Sequence, residues 1–235
     1  MPINDLKMNY ATISADVISY TALKETEKRK VETGIKQLIN DLSERYKKQR
    51  FYGRLVQGDF IECAMDNPHY ALRIALLLKT YIKSIDLGVP KNEKSRIKYF
   101  SEHGIRLAVA VAPLDKLDPG EGIIDGEAIY LSGRAIKSHS TSDKQKIVIK
   151  NTMFFSSENN NYQQQFDVLF SLLDTILSKC SSKQSEVVYY KLLDLNEKEI
   201  AKKLGKYQST ISQHSTSAGW LSIEKAVNYF ENIFK

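Results

Sequence analysis

The hydrophobic pattern of this 235-residue chain changes period repeatedly over its first two thirds and then stops changing. Residues 8–13 (MNYATI) form a β-rich run that leads into Ser14, Ala15 and Asp16. Over residues 21–46, Val31, Ile35, Leu38, Ile39, Leu42 and Tyr46 recur at three- and four-residue steps, the spacing of one helix face. Residues 54–56 (RLV) and 60–64 (FIECA) predict two short strands, joined by a Gly/Asp-type hairpin turn at Gln57-Gly58-Asp59. Pro68 suits the first residue of a second helix, reaching about residue 85. Residues 90–101 are charged and polar and read as a surface connection. Residues 105–111 (IRLAVAV) alternate and then become wholly apolar, as a central strand does. A third helix is expected over 127–138 and a last strand over 146–150 (KIVIK).

Strand, helix, strand, strand, helix, strand, then a further helix and strand, is the order of a ferredoxin-like split βαββαβ unit with an extension. The polar, low-complexity run at 156–165 (SSENNNYQQQ) is the best boundary. The expected organisation is α+β: a domain over 1–155, a linker over 156–165, and an all-α domain over 166–235.

Composition narrows the classes. No apolar run approaches the roughly 20 residues of a membrane span; the greasiest stretch, residues 71–78 (ALRIALLL), is flanked by polar residues. The start, MPINDLKMNY, lacks the basic-then-apolar pattern of a secretory signal. Cys63 and Cys180, far apart in apolar surroundings, read as reduced packing residues, so a cytoplasmic location without membrane contact is expected. The four histidines are scattered and give no zinc-type spacing. A formal charge of +6 is too modest to identify a partner.

Two acids stand out by position. Asp16 follows the first strand and Asp59 lies in the hairpin turn, and in a βαββ sheet these places are neighbours. Carboxylates brought together at strand ends repel unless a cation lies between them, and Mg²⁺ suits such hard oxygen ligands while leaving positions open for phosphate oxygens. No Walker-type glycine loop is present, so a nucleotide here depends on metal.

Residues 15–23 (ADVISYTAL) resemble the "DIxGFTxL" signature of class III nucleotide cyclases, and Gln57-Gly58-Asp59 resembles their second metal-binding turn. Residues 126–134 (GEAIYLSGR) are similar to the family's "GxxVNxAxR" helix. The resemblance spans roughly residues 8–150 and implies that Asp16, Asp59 and the Val17 carbonyl ligate Mg²⁺ or Mn²⁺. It also implies that Arg134 stabilises charge on a transferring phosphate. The base-recognition set departs: Tyr130 replaces the asparagine that supports the ribose, Leu55 the base-reading lysine, and Ile123 its partner acid, although Asp125 is close by. Glu62 and Asp66 read as solvated, and Arg106, inside an apolar strand, as the partner of an unidentified carboxylate. The Asp125-Gly126-Glu127-Ala128 stretch before Arg134, together with a helix-turn-helix-like pattern at 199–213, looks closer to the SatD family, a resemblance that supplies architecture more than activity.

In the C-terminal part, Asn196 and Glu199 form a capping-box pattern. Residues 199–213 (EIAKKLGKYQSTISQ) resemble a helix-turn-helix, with Ala201 small for a close crossing, Gly205 for a left-handed turn and Ile211 for the shared core. Lys206, Gln208, Ser209, Thr210, Ser212 and Gln213 would then face DNA. His214 departs from the usual apolar residue there. From residue 166 onward nine lysines meet eight acids, so the electrostatic footprint is thin, though Lys191, Lys198, Lys202, Lys203 and Lys206 cluster. Two functions follow: a homodimeric DNA-binding regulator whose cyclase-like domain binds Mg²⁺ and a nucleotide, or a nucleotide cyclase or other Mg²⁺-dependent nucleoside-triphosphate enzyme. A cyclase-like fold kept purely as a dimerisation scaffold is the third reading.

Overall fold

A computed structural model of the chain describes residues 9–138, 149 and 151–235. The first strand, β1 (Asn9–Val17), is the centre of a five-stranded mixed sheet, because its odd and even residues both find cover. Ala11, Ile13, Ala15 and Val17 point into the main core, where α1 (Glu25–Arg45) buries Val31, Ile35, Leu38, Ile39 and Leu42. The alternation predicted for that helix is thus the one observed. The hairpin strands β2 (Tyr52–Val56) and β3 (Phe60–Met65) follow, and Pro68 opens a 3₁₀ turn ahead of α2 (Ala71–Ser84).

Next come α3 (Lys98–His103), β4 (Ile105–Pro113) and a small hairpin of β5 (Lys116–Asp118) and β6 (Ile123–Asp125). After α4 (Glu127–Ser138) and β7 (Met153–Ser157), helices α5 (Asn160–Lys179), α6 (Ser182–Leu192), α7 (Glu197–Leu204), α8 (Gln208–Ser217) and α9 (Trp220–Ile233) complete the chain. The sheet order is β2-β3-β1-β4-β7; β1 runs antiparallel to β3 and β4, β2 antiparallel to β3, and β7 parallel to β4. On the second face of the sheet, α4 is held by polar contacts: Thr12 Oγ1 donates to the Ala128 carbonyl at 2.8 Å, and the Ser14 and Ser132 hydroxyls lie 2.9 Å apart.

The structure adds to the sequence pattern at three places. Residues 90–101 are not merely a surface connection, because Ile97 and Phe100 are buried, α3 begins at Lys98, and Arg96 clamps the Glu27 carboxylate at 2.7 and 2.8 Å. The β5–β6 hairpin has strands too short for periodicity to register. The polar run at 156–165 contains the end of β7 and the first turns of α5, and Asn159 and Gln163 within it satisfy backbone groups at the start of α5 and the end of β7. Asn159 Oδ1 accepts from the Asn161 and Tyr162 N–H groups, and Gln163 bridges Ser157 N–H and the Phe155 carbonyl. The strand expected at 146–150 lies outside the described residues; β7 is the strand that pairs with β4.

The C-terminal helices share the main core with the sheet. Phe155 on β7 meets Phe166 and Phe170 on α5 with ring centroids 5.0 and 5.5 Å apart, and Phe166 lies 4.7 Å from Phe230 on α9. Tyr81 on α2 meets Tyr189 on α6 at 5.2 Å. A second, small cluster of Val187, Ile200, Ala201 and Ile211 joins α6, α7 and α8.

Beneath α5 lies a closed polar network. Lys79, 1% exposed, donates to Thr152 Oγ1 at 2.7 Å and to the Ile105 carbonyl at 3.0 Å, and sits 3.4 Å from Asp174. Asp174 also accepts from the Thr152 hydroxyl at 2.6 Å and from the Thr152 N–H. Burial pushes the Asp174 carboxyl upward, but Lys79 and the Thr152 bonds outweigh it and hold it below the ordinary range. Among the described residues no helix is long and apolar enough to cross a membrane.

Candidate functional site

Strand pairing assembles the acidic corner. Asp16 sits opposite Phe60 on β3 and opposite Arg106 on β4, and the Val17 N–H donates to the Asp59 carbonyl at 3.0 Å, stitching the hairpin turn to the end of β1. Asp16 and Asp59 are therefore brought together, as the strand order predicts, with Val17 between them. Burial raises the Asp16 carboxyl above its ordinary value; Arg106 opposes that shift and the charge of Asp59 adds to it. Asp59 is raised as well, first by burial and further by Glu32, with Lys28 opposing.

Arg106 resolves the question left open by the sequence: its Nη1 lies 3.3 Å from Asp16 Oδ2, and the arginine is 3% exposed. This ion pair leaves two buried atoms without a hydrogen-bond partner, Asp16 Oδ1 and Arg106 Nε. An unsatisfied buried acceptor beside a second carboxylate fits a hard cation, and an unsatisfied buried donor beside it fits an anionic oxygen. Glu32, Tyr20 and Lys28 complete the surroundings and were not singled out in the sequence. Tyr20 donates to Glu32, Lys28 Nζ stands 5.3 Å from the Tyr20 ring, and burial raises the Tyr20 hydroxyl's pKa well above its usual value. A side chain at Gly58, where φ is +83°, would meet Tyr20 Oη at 3.1 Å and Glu32 Oε1 at 3.2 Å, so the turn needs glycine. Only their spacing on the first turns of α1 could have pointed to Lys28 and Glu32. Among the described residues no group of three or more His, Cys, Asp or Glu side chains is placed to hold a metal ion, so a cation here rests on two carboxylates and backbone.

Arg134 stands apart within the chain. It lies on α4 with 67% of its side chain exposed, and its ion-pair partner is Glu127 at 3.5 Å rather than Asp16 or Asp59. The positions that depart from the cyclase pattern are occupied in other ways. Leu55 packs against the main core, its neighbour Arg54 donates to Glu62 at 2.8 Å and to the Gly122 carbonyl, and Tyr130 donates to Asp125. Glu62 is thus a paired residue rather than a solvated one.

In the C-terminal helices, Asn196 and Glu199 form the expected reciprocal cap. Gly205 adopts φ 61°, ψ 40° after α7, and α8 begins three residues later. Lys206, Gln208, Ser209 and Gln213 are exposed, with Thr210 and Ser212 half-buried. Tyr207 beside them is 83% exposed, a residue the sequence reading passed over. Lys191 is tied to Glu197 at 3.6 Å; Lys198, Lys202, Lys203 and Lys206 are exposed, Lys203 with its Nζ over the Tyr190 ring at 5.4 Å. His214 is half-buried.

No sequence profile of a known protein family matches the chain, and no curated protein matches it. Two solved structures of adenylate cyclases from Trypanosoma brucei in their monomeric state are similar to it. One is 18% identical, with a TM-score of 0.41, over 57% of this chain and 68% of that one. The other is 17% identical, with a TM-score of 0.43, over 56% and 70%. At these values the functional argument rests on the residues of the chain itself.

Proposed function

We propose that the acidic corner binds a divalent cation together with a nucleotide's phosphates, in a cyclase-like βαββαβ unit whose helical C-terminal part, with α7 and α8 as a helix-turn-helix, binds DNA. The observation that carries the first half is the pair of unsatisfied buried atoms, Asp16 Oδ1 and Arg106 Nε, on two side chains that meet at 3.3 Å through Oδ2 and Nη1. A metal–phosphate ligand supplies a partner for each at once: cation for the carboxylate, anionic oxygen for the guanidinium. Asp16, Asp59 and the Val17 carbonyl are the groups to hold Mg²⁺ or Mn²⁺, whose contribution when bound is to neutralise phosphate charge. Arg106 would orient the phosphate, and its charge opposes the upward shift that burial imposes on Asp16.

The DNA half is supported by the tight turn at Gly205 and by the solvent-facing Lys206, Gln208, Ser209 and Gln213 at the start of α8. The reading is thus of a nucleotide-responsive regulator that acts as a homodimer. Thermal shift with each nucleoside triphosphate and Mg²⁺ or Mn²⁺ tests the first half: a metal-dependent rise in Tm that Asp16→Asn abolishes is expected. No rise with any triphosphate leaves the cyclase-like unit as a scaffold. DNA retention at low ionic strength that weakens with salt tests the second half, and its absence with and without nucleotide removes it.

The enzymatic alternative draws on the same corner, since a metal-held triphosphate is also a substrate. Pyrophosphate release lost in Asp16→Ala favours it; release that persists in that variant comes from elsewhere.

A further inference from the structure

Away from the acidic corner, a cavity of about 660 Å³ opens between the end of α2, the segment before α3, α3 itself and the start of α6. Its size is that of a small-molecule site rather than a packing flaw. Ile85, Leu87, Ile97 and Phe100 give it an apolar wall. Lys94 and Lys98 stand at its rim, both exposed and without a salt bridge among the described residues, Lys98 with its Nζ 5.8 Å from the Tyr99 ring. Lys83 lines the interior at 2% exposure, with two of its three ammonium protons on the Leu177 and Ser178 carbonyls at 2.6 and 3.0 Å. Burial draws its pKa down to about 8, which leaves it charged at neutral pH. Two acids also line the cavity, so three lysines meet two carboxylates: Asp86 accepts from the Gly88 N–H at 2.9 Å, and Glu102, whose charge acts on Lys83, lies 3.7 Å from His103, whose pKa burial lowers. Ser181 and Ser182, at the amino end of α6, close the cavity on its far side, where the helix carries partial positive charge.

We infer that this cavity is a binding site for a small organic anion: an apolar body seated on Ile85, Leu87, Ile97 and Phe100, and one carboxylate, sulfonate or phosphate group met by Lys83, Lys94 and Lys98. Such a ligand bridges the segment that follows α2 and the helix α6, whose Val187 shares a core with Ile200 and Ile211 of α7 and α8. It is therefore placed to act as an effector of the helices proposed to bind DNA, and that effector role, unlike the binding itself, rests on the DNA-binding reading.

The test uses the full chain and the fluorescent probe anilinonaphthalene sulfonate, an aromatic body carrying one anionic group. Saturable binding of one equivalent is expected, displaced by octanoate and hexyl phosphate but not by octanol. Lys94→Glu combined with Lys98→Glu should weaken binding at least tenfold. Ser182→Glu should do the same without loss of folding, because an acid in the first turn of α6 suits the helix. Displacement by octanol as effective as by octanoate, or wild-type binding in both folded variants, overturns the proposal. Asp16→Asn should leave probe binding unchanged while removing the metal-dependent nucleotide shift, so either site can fail alone. DNA affinity that octanoate leaves unchanged overturns the effector role.

Discussion

Two aspartates in the same protein, Asp174 fully buried and Asp16 partly, are treated in opposite ways. Asp174, 3% exposed, has a hydroxyl, an amide N–H and an ammonium aimed at it, and its carboxyl is held below the ordinary range although burial opposes this. Asp16 has one arginine at 3.3 Å, one oxygen with no partner, and a second carboxylate nearby, and its carboxyl is raised. A completed network at one site locks α5 to the sheet; an incomplete one at the other costs stability that only a ligand can return. The difference separates a charge that the fold itself satisfies from one that it leaves open to a ligand.

The largest expected effect tests the closed site. Asp174→Ala leaves the buried Lys79 without its counter-ion, and should lower stability by about 3–5 kcal/mol in urea unfolding, with or without nucleotide. Asp16→Asn should cost far less. The amide retains an oxygen for Arg106 and relieves the repulsion from Asp59, which offsets part of the loss of the guanidinium's counter-charge, so Tm should move by less than about 3 °C while the metal-dependent nucleotide shift disappears. A fall as large as that of Asp174→Ala would mean that Arg106 already completes the site.

Acid titration sharpens the same contrast. Asp174, with a lowered folded pKa, contributes stability that is present above 3.8 and lost as pH falls through its folded value. Asp16, with a raised folded pKa, is stabilising when protonated, and that contribution is lost as pH rises from 3.8 through its folded value. Asp16→Asn should remove that upper slope and leave the lower one; denaturation midpoints measured across acid pH read both.

Smaller effects belong to the surface. Lys206→Ala should weaken DNA retention and reduce its salt slope by about 1 without moving Tm. Arg134→Ala should change stability by less than about 0.5 kcal/mol, since its exposed pair with Glu127 is worth little. A lost nucleotide shift in that variant would show that Arg134 reaches the phosphates of a partner copy.

Much of the architecture was legible because it is local. The three- and four-residue spacing of Val31 to Leu42 describes α1, the residues at 127–138 describe α4, and Asn196 with Glu199 describes the start of α7. Asp16 and Asp59 were legible because a hairpin turn beside a central strand has only one place to go. Illegible were features in which local chemistry suits two settings. SSENNNYQQQ is as good a helix cap as it is a linker, and residues 90–101 hide Ile97 and Phe100 among charges.

The sequence by itself determined the periods, the caps, the turns and the pairing of two carboxylates at strand ends, because each depends on residues a few positions apart. Tertiary structure alone decided that Arg106 faces Asp16, that Lys79 and Asp174 close on Thr152, and that Glu32 leans toward Asp59. Those partners lie 90, 95, 73 and 27 residues apart and meet through the sheet order and helix packing. Whether a buried charge is satisfied is a property of everything folded around it, and no local pattern carries that information.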